Sequence, residues 1–262
     1  MKLSTEYFKH LLIRTPLQEP AQKLQSFLDP KRKNPELQEI YLESGRVDLL
    51  MKRALSPSSN CIDIGCHLGS MLSKILKLAP EGNHLVFEPT PHKAQWLKQK
   101  FPEIMVLEMA LGDTSGEATF YQNATRSGFS GLRSPKKADD SVLEYTVRVE
   151  QLDKIVDLQM PIDFIKVDVE GGELSVLRGA TQIIGLHSPL LLFECTKLGL
   201  SNFEFEPIEV FEFLTQRQYQ IFLLKDLLDR GSSLDYQQFE RAMQYPFQAF
   251  NFVAVPSSSE LL

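Results

Sequence analysis

The sequence is poor in several things, and each shortage narrows the reading. It holds three cysteines, Cys61, Cys66 and Cys195. Their number is odd and their spacing fits no zinc site, so we expect a reducing compartment and no disulfide framework. No apolar run approaches the roughly 20 residues of a membrane-spanning helix. The opening stretch MKLSTEYFKHLLIRTP is broken by Glu6, Lys9 and Arg14 and lacks an apolar core of signal-peptide length. The expectation is a cytoplasmic protein without a membrane partner. Basic charge is also short, with 28 Lys and Arg against 34 Asp and Glu and a net charge of −6. That balance argues against general nucleic-acid binding, which draws its affinity from basic surface that displaces counterions from phosphate. There is no internal repeat, and the longest low-complexity tract is the SSS near the C-terminus. What remains is an ordinary globular composition, 43% hydrophobic and 24% charged over 262 residues. That length suits one large α/β domain or two small ones, with a core that needs no staples.

Residues 1–56 read as a helical, proline-punctuated extension, with Pro16, Pro20, Pro30 and Pro35 breaking it. Within it, PELQEIYLESGRVDLLMKRAL predicts one amphipathic helix, or two short ones divided near Gly45. The extension could simply pack on the domain, cap a ligand cleft, or join two copies of the chain. From Asn60 a rhythm begins. The strand NCIDIG is followed by the helix SMLSKILKLA, the strand HLVFEP by the helix HKAQWLKQKF, and IMVLEMAL reads as a third strand. Strands alternating with helices at this interval predict a parallel sheet covered on both faces. The rhythm breaks at GEATFYQ and EYTVRVEQL, two alternating strands expected to pair antiparallel. Between them, NATRSGFSGLRSPKKADD is too long for a plain turn and suits a lid. Its Arg126, Arg133, Lys136 and Lys137 make it locally basic, which would suit an anionic substrate or an ordinary solvated loop. The rhythm resumes with IDFIKVDV, ELSVLRGA, PLLLFEC and PIEVFEFLTQRQ and closes on the strands YQIFLL and NFVAVP. We expect one domain over 57–262, with a hairpin and lid inserted at about 113–150.

The turn CIDIGCHLGS places Asp63, Gly65 and Gly69 between a strand and a helix. Glycines there let backbone approach a ligand, and the N–H groups that open the next helix favour an anionic group. The dinucleotide fingerprint G-x-G-x-x-G fails, because His67 and Ser70 stand where its later glycines would be. There is also no Tyr-x-x-x-Lys pair after the third or fourth strand, so a nicotinamide oxidoreductase is disfavoured. Glu88 ends the second strand 19 residues after Gly69, where a carboxylate can accept both hydroxyls of a ribose. The turn and the acid together favour an adenosine cofactor.

DIGCHLG followed by VFEP resembles the first motif and second-strand acid of class I S-adenosylmethionine-dependent methyltransferases. More narrowly, the chain resembles the FkbM family. The matching stretches are CIDIGCHLG, VFEPTP, ALGDTSGEATFY, SGFSGL, VRVEQLDKI, IKVDVEGGELSVLRGA, LLFEC and NFVAVP, in the family's order from about 60 to 255. The resemblance implies a Rossmann-like α/β fold, a seven-stranded, mostly parallel sheet with an antiparallel last strand. It also implies S-adenosylmethionine as cofactor and a hydroxyl of a sugar or natural product as acceptor. Carried onto this sequence, the cofactor set is Asp63, Gly65, Cys66, His67, Gly69, Glu88, Pro89, Ala110 and Leu111. Cys66-His67 stands where family members commonly have Ala-Asn.

In an open α/β sheet, ligands sit beyond the carboxyl ends of the strands. Asp63, Glu88, Asp168 and Glu194 all lie near such ends. An acid ending a strand as apolar as PLLLFEC is costly without a partner, so Asp168 and Glu194 read as functional. Transfer to a hydroxyl needs alignment, exclusion of water and a base. Asp168, Glu170 and Glu194 are the catalytic candidates. Asp168 and Glu194 could act directly, or hold a Mg2+ ion that acidifies the acceptor. Glu173 reads as an ordinary helix-start acid. Three other readings stay open: a methyltransferase acting on RNA or protein, a cofactor-binding module without activity, and, less favoured, the oxidoreductase.

Overall fold

The computed structural model describes residues 11–13, 15, 34–123, 130–133 and 142–259. Its strands are β1 (Cys61–Ile64), β2 (His84–Phe87), β3 (Met105–Leu107), β4 (Ala110–Leu111), β5 (Gly116–Asn123), β6 (Val142–Glu150), β7 (Phe164–Val167), β8 (Leu190–Glu194), β9 (Tyr219–Leu223) and β10 (Asn251–Pro256). Seven of them form one sheet in the order β3-β2-β1-β7-β8-β10-β9. All neighbours in it are parallel except β10, which runs antiparallel to both β8 and β9. This is the expected mostly parallel sheet with a reversed last strand. Strand order reverses between β1 and β7, which places the ligand-binding edge at their carboxyl ends.

The helices are α1 (Gln38–Ala54), α2 (Ser70–Leu78), α3 (Pro91–Lys100), α4 (Leu152–Ile155), α5 (Glu173–Arg178), α6 (Thr181–His187), α7 (Lys197–Asn202), α8 (Pro207–Thr215), α9 (Leu224–Leu228) and α10 (Tyr236–Ala242). Alternation along each strand sends residues to two cores. Ile62, Ile165, Leu191 and Phe193 meet α5, α6 and α8 on one face. Cys61, Phe164, Leu192 and Val253 meet Val47, Leu50 and Met51 of α1 on the other. Burying each of those three α1 side chains is worth about 2 kcal/mol. That outweighs the roughly 1 kcal/mol that Gly45 costs inside a helix, so α1 runs through it unbroken. The buried carboxylate of Glu43, also on α1, accepts the N–H groups of Phe250 (2.8 Å) and Asn251 (3.0 Å), and ties the helix to the start of β10. None of the described helices is long and apolar enough to cross a membrane.

One predicted strand divides. IMVLEMAL gives β3 to the large sheet and β4 to a second, three-stranded sheet ordered β4-β6-β5. The run is apolar on both sides of Glu108, so its pattern carries no sign that the chain changes sheets there. The predicted antiparallel pair is β5 with β6, Gly116 opposite Val149 through Asn123 opposite Val142. After it, Tyr121 and Gly131 exchange hydrogen bonds of 2.8 and 3.1 Å, which fold residues 130–133 back onto the hairpin. Arg126, Lys136, Lys137 and the first half of SGFSGL, residues 127–129, lie outside the described residues.

Candidate active site

The turn after β1 is built by backbone constraints. Gly65 N and Cys66 N donate to the Phe87 carbonyl (3.0 and 3.2 Å), and Asp168 N donates to the Ile64 carbonyl (3.1 Å). The turns after β1 and β7 therefore interlock. Gly65 has φ +75°, and a Cβ on it would stand 1.8 Å from the Asp168 carbonyl oxygen. Its glycine requirement thus comes first from this neighbouring turn. Gly69, expected at the cofactor, has φ +89°, and a Cβ there would stand 2.5 Å from the Phe101 ring, so its bareness serves the backbone turn and helix packing as well. His67 has φ +56°, in the left-handed region where Asn and His are enriched among non-glycine residues. The backbone conformation thus tolerates a histidine at this position.

Glu88 is 4% exposed. Its Oε2 accepts the His67 N–H and its Oε1 the Thr90 N–H, both at 2.9 Å. Burial raises its pKa, and Lys93 and the Thr90 bonds pull it back. Each oxygen keeps a further lone pair.

These turns wall a cavity of about 630 Å³, within the usual range for small-molecule sites. Gly65, Cys66, His67, Glu88, Pro89, Ala110 and Leu111 line it, as do Asp168 and Glu170. The small sheet contributes Phe120 and Val149 to the wall. Asp63, also expected at the cofactor, is not among the residues that line the cavity. It is 1% exposed and lies opposite Lys166 in strand register, with Lys166 Nζ 3.4 Å from its Oδ1. Glu194 is not on the wall either, but one carboxylate oxygen from each of Asp168, Glu170 and Glu194 lies within 4.8 Å of the others.

Three carboxyls this close cannot all ionise at once. Burial pushes Asp168 up, but the Lys166 ammonium 3.2 Å away outweighs it and holds the pKa below the ordinary value. Burial, then the Asp168 charge, push Glu170 up to about 8. The same causes push Glu194 up to about 10, where it stays protonated at neutral pH and shares a hydrogen bond with Asp168. Glu170 itself sits at φ +59°. Its strained turn is held by Glu173, whose Oε1 accepts the N–H groups of Val169 (3.0 Å) and Gly171 (3.1 Å). Glu173 therefore does more than start α5: its buried carboxyl, raised to about 7 by burial, clamps the turn that presents Glu170.

Lys166 is the residue that sequence reasoning missed. Its Nζ donates to the Gly65 carbonyl (2.7 Å) and pairs with both Asp63 and Asp168. The signal was there: a lone lysine in the otherwise apolar strand FIKV must find buried partners, and Asp168 two residues on shares its face. The three-acid cluster has the hard oxygen donors that Mg2+ prefers, but Lys166 already holds one side of Asp168.

A family model described as the Methyltransferase FkbM domain matches residues 63–221. Among solved structures, the chain is similar to methyltransferase FkbM from Methylobacillus flagellatus KT, with 17% identity and a TM-score of 0.47, over 90% of this chain and 60% of that one. The chain thus spans less than two thirds of that protein's length. It is also similar to a putative rRNA-methylase from Clostridium thermocellum (10% identity, TM-score 0.46, 83% of this chain and 96% of that one). A third is fibrillarin from Aeropyrum pernix, solved with natively bound S-adenosyl-L-methionine (11% identity, TM-score 0.42, 80% and 74%). No curated protein sequence matches the chain.

Proposed function

The chain belongs to the FkbM methyltransferase family, and we propose that it is an S-adenosylmethionine-dependent O-methyltransferase acting on a hydroxyl of a small molecule, a sugar or natural product. The observation that carries the reading is Glu170. Its carboxyl stands on the cavity wall, inside an acid cluster and one turn away from Gly65, with a pKa of about 8 that suits a base working near neutral pH.

The cofactor, when bound, supplies a methyl group already activated on a sulfonium sulfur. The residues present fit such a group. Glu88, locked by the His67 and Thr90 N–H groups, offers its remaining lone pairs to ribose hydroxyls. The Gly65–His67 turn supplies backbone at the carboxyl end of β1. Ala110, Leu111 and Phe120 give an apolar wall that keeps water from the reacting centre. Glu170, ionised, takes the acceptor's hydroxyl proton onto a carboxylate oxygen. Asp168, kept ionised by Lys166, and Glu194, kept protonated, fix the charge and orientation around it. The net charge of −6 favours a small acceptor over RNA.

Calorimetry with S-adenosylmethionine, S-adenosylhomocysteine and NAD tests the cofactor, and transfer of labelled methyl to a panel of sugars and natural products tests the acceptor. Binding of S-adenosylhomocysteine and labelling of a hydroxyl are the expected results. NAD binding without S-adenosylhomocysteine binding overturns the reading.

A further inference from the structure

Among the described residues, four Lys and Arg side chains line the cavity, and three of them are spoken for. Lys74 pairs with Asp48. Lys166 pairs with Asp63 and Asp168. Lys93 is buried beside Glu88, whose charge it offsets. Arg133 makes no ion pair with any described residue. Its guanidinium instead lies 5.4 Å from the centroid of the Phe203 ring.

Both partners of that contact frame the turn that carries Glu170. Gly131, two residues before Arg133, packs on it, since a Cβ there would stand 3.8 Å from Glu170 Cβ. Phe203 packs on its other end, where a Cβ on Gly172 would stand 3.3 Å from the ring. The hydrogen-bond pair between Tyr121 and Gly131 fixes the approach of the segment. A guanidinium held over a ring face by a cation–π contact still presents its planar N–H fork, which can grip a carboxylate or phosphate through two parallel hydrogen bonds.

Resting on the reading of this cavity as the methyl-transfer site, we propose that the acceptor carries an anionic group, a carboxylate or a phosphate, and that Arg133, braced by Phe203, binds it and so turns a neighbouring hydroxyl toward Glu170. Arg133 is in these terms the specificity-determining residue: it is exposed at the cavity mouth, and neutral polyols of the same size bind more weakly because they gain no charge-assisted pair with its guanidinium.

The test uses the full chain saturated with S-adenosylhomocysteine, titrated by calorimetry with sodium acetate and, separately, with inorganic phosphate, using glycerol as the neutral control. At least one anion binds saturably in the millimolar range and glycerol does not. Saturation by acetate alone assigns a carboxylate acceptor, by phosphate alone a phosphorylated one, and by both the shared chemistry. Arg133→Gln weakens the anion about tenfold or more, and Phe203→Leu, which leaves the charge but removes the ring, weakens it severalfold, while S-adenosylhomocysteine affinity stays unchanged in both. Saturation by neither anion, or equal binding to Arg133→Gln, overturns the proposal. If wild type fails to bind S-adenosylhomocysteine, the cofactor reading falls, and the same anion titration on the unliganded chain still decides for or against Arg133.

Discussion

Replacing Lys166 by methionine keeps the length and apolar stem of the side chain and removes only its charge. The ammonium contacts the Gly65 carbonyl at 2.7 Å, Asp168 at 3.2 Å and Asp63 at 3.4 Å. Asp63 is 1% exposed, so without its partner it has no access to water. Removing one member of a buried ion pair costs about 3–5 kcal/mol, chiefly for the stranded charge. For a domain of this size that lowers the melting temperature by about 6–20 °C. The sign of the pH dependence follows from Asp168. Burial alone would raise its pKa, and Lys166 more than reverses this, so the pairing stabilises the fold above the ordinary carboxylate range and fades as pH falls through the lowered value. Lys166 itself would be pushed down by burial, but Asp168 and Asp63 hold it above the ordinary lysine value, so its own contribution is intact at neutral pH. The gap between wild type and Lys166→Met is therefore widest near neutral pH and narrows on acidification. Urea denaturation at several pH values measures it. A variant within 1 kcal/mol of wild type at pH 7 would refute the assignment of Lys166 as the pin between the two turns.

Gly65→Ala combines φ +75° with a Cβ 1.8 Å from the Asp168 carbonyl, and should cost about 2–4 kcal/mol in a thermal melt even before any cofactor is added. A melt equal to wild type would mean that the two turns do not interlock. Glu170→Gln should leave S-adenosylhomocysteine affinity within about twofold and lower turnover about 100-fold or more, as expected for loss of a base. With the Glu170 pKa at about 8, roughly one tenth of the wild-type base is ionised at pH 7, so the rate climbs about tenfold toward pH 9. A flat wild-type profile removes Glu170 from that role. Dialysis against a chelator should leave turnover unchanged, because Lys166 rather than a metal ion neutralises Asp168. Activity lost in chelator and restored by Mg2+ would instead favour the metal version of the Asp168 and Glu194 site.

The sheet was readable because its strands are short, apolar and cleanly bounded. CIDI, HLVF, FIKV and LLLFE each end at a glycine or an acid, and the helices between them keep their spacing. The change of sheet within IMVLEMAL was not, since burial in either sheet demands the same side chains. The short α6, α7, α9 and α10 escaped for a different reason: their few turns owe their shape to tertiary packing rather than to local periodicity. In the candidate site, Glu88 and Asp168 were legible from their places at strand ends. The backbone tasks of Gly65, Gly69 and Glu173 were not, because each answers to a neighbour distant in sequence or to a buried N–H. Arg133 and Phe203 stand 70 positions apart, and only the folded hairpin brings them together.

The place of β10 bears on how the chain can be made. It is the last strand described, yet it lies inside the sheet, between β8 and β9. On a ribosome, β8 and β9 emerge first and must wait as two open edges, one of them the apolar LLLFE. Residues 251–256 close both edges at once. The receiving carboxylate of Glu43 is by then long since synthesised, ready to take the Phe250 and Asn251 N–H groups. The family-matched stretch 63–221 contains neither β10 nor Glu43. Expressed alone, it would be a sheet held open at the position its final strand should fill.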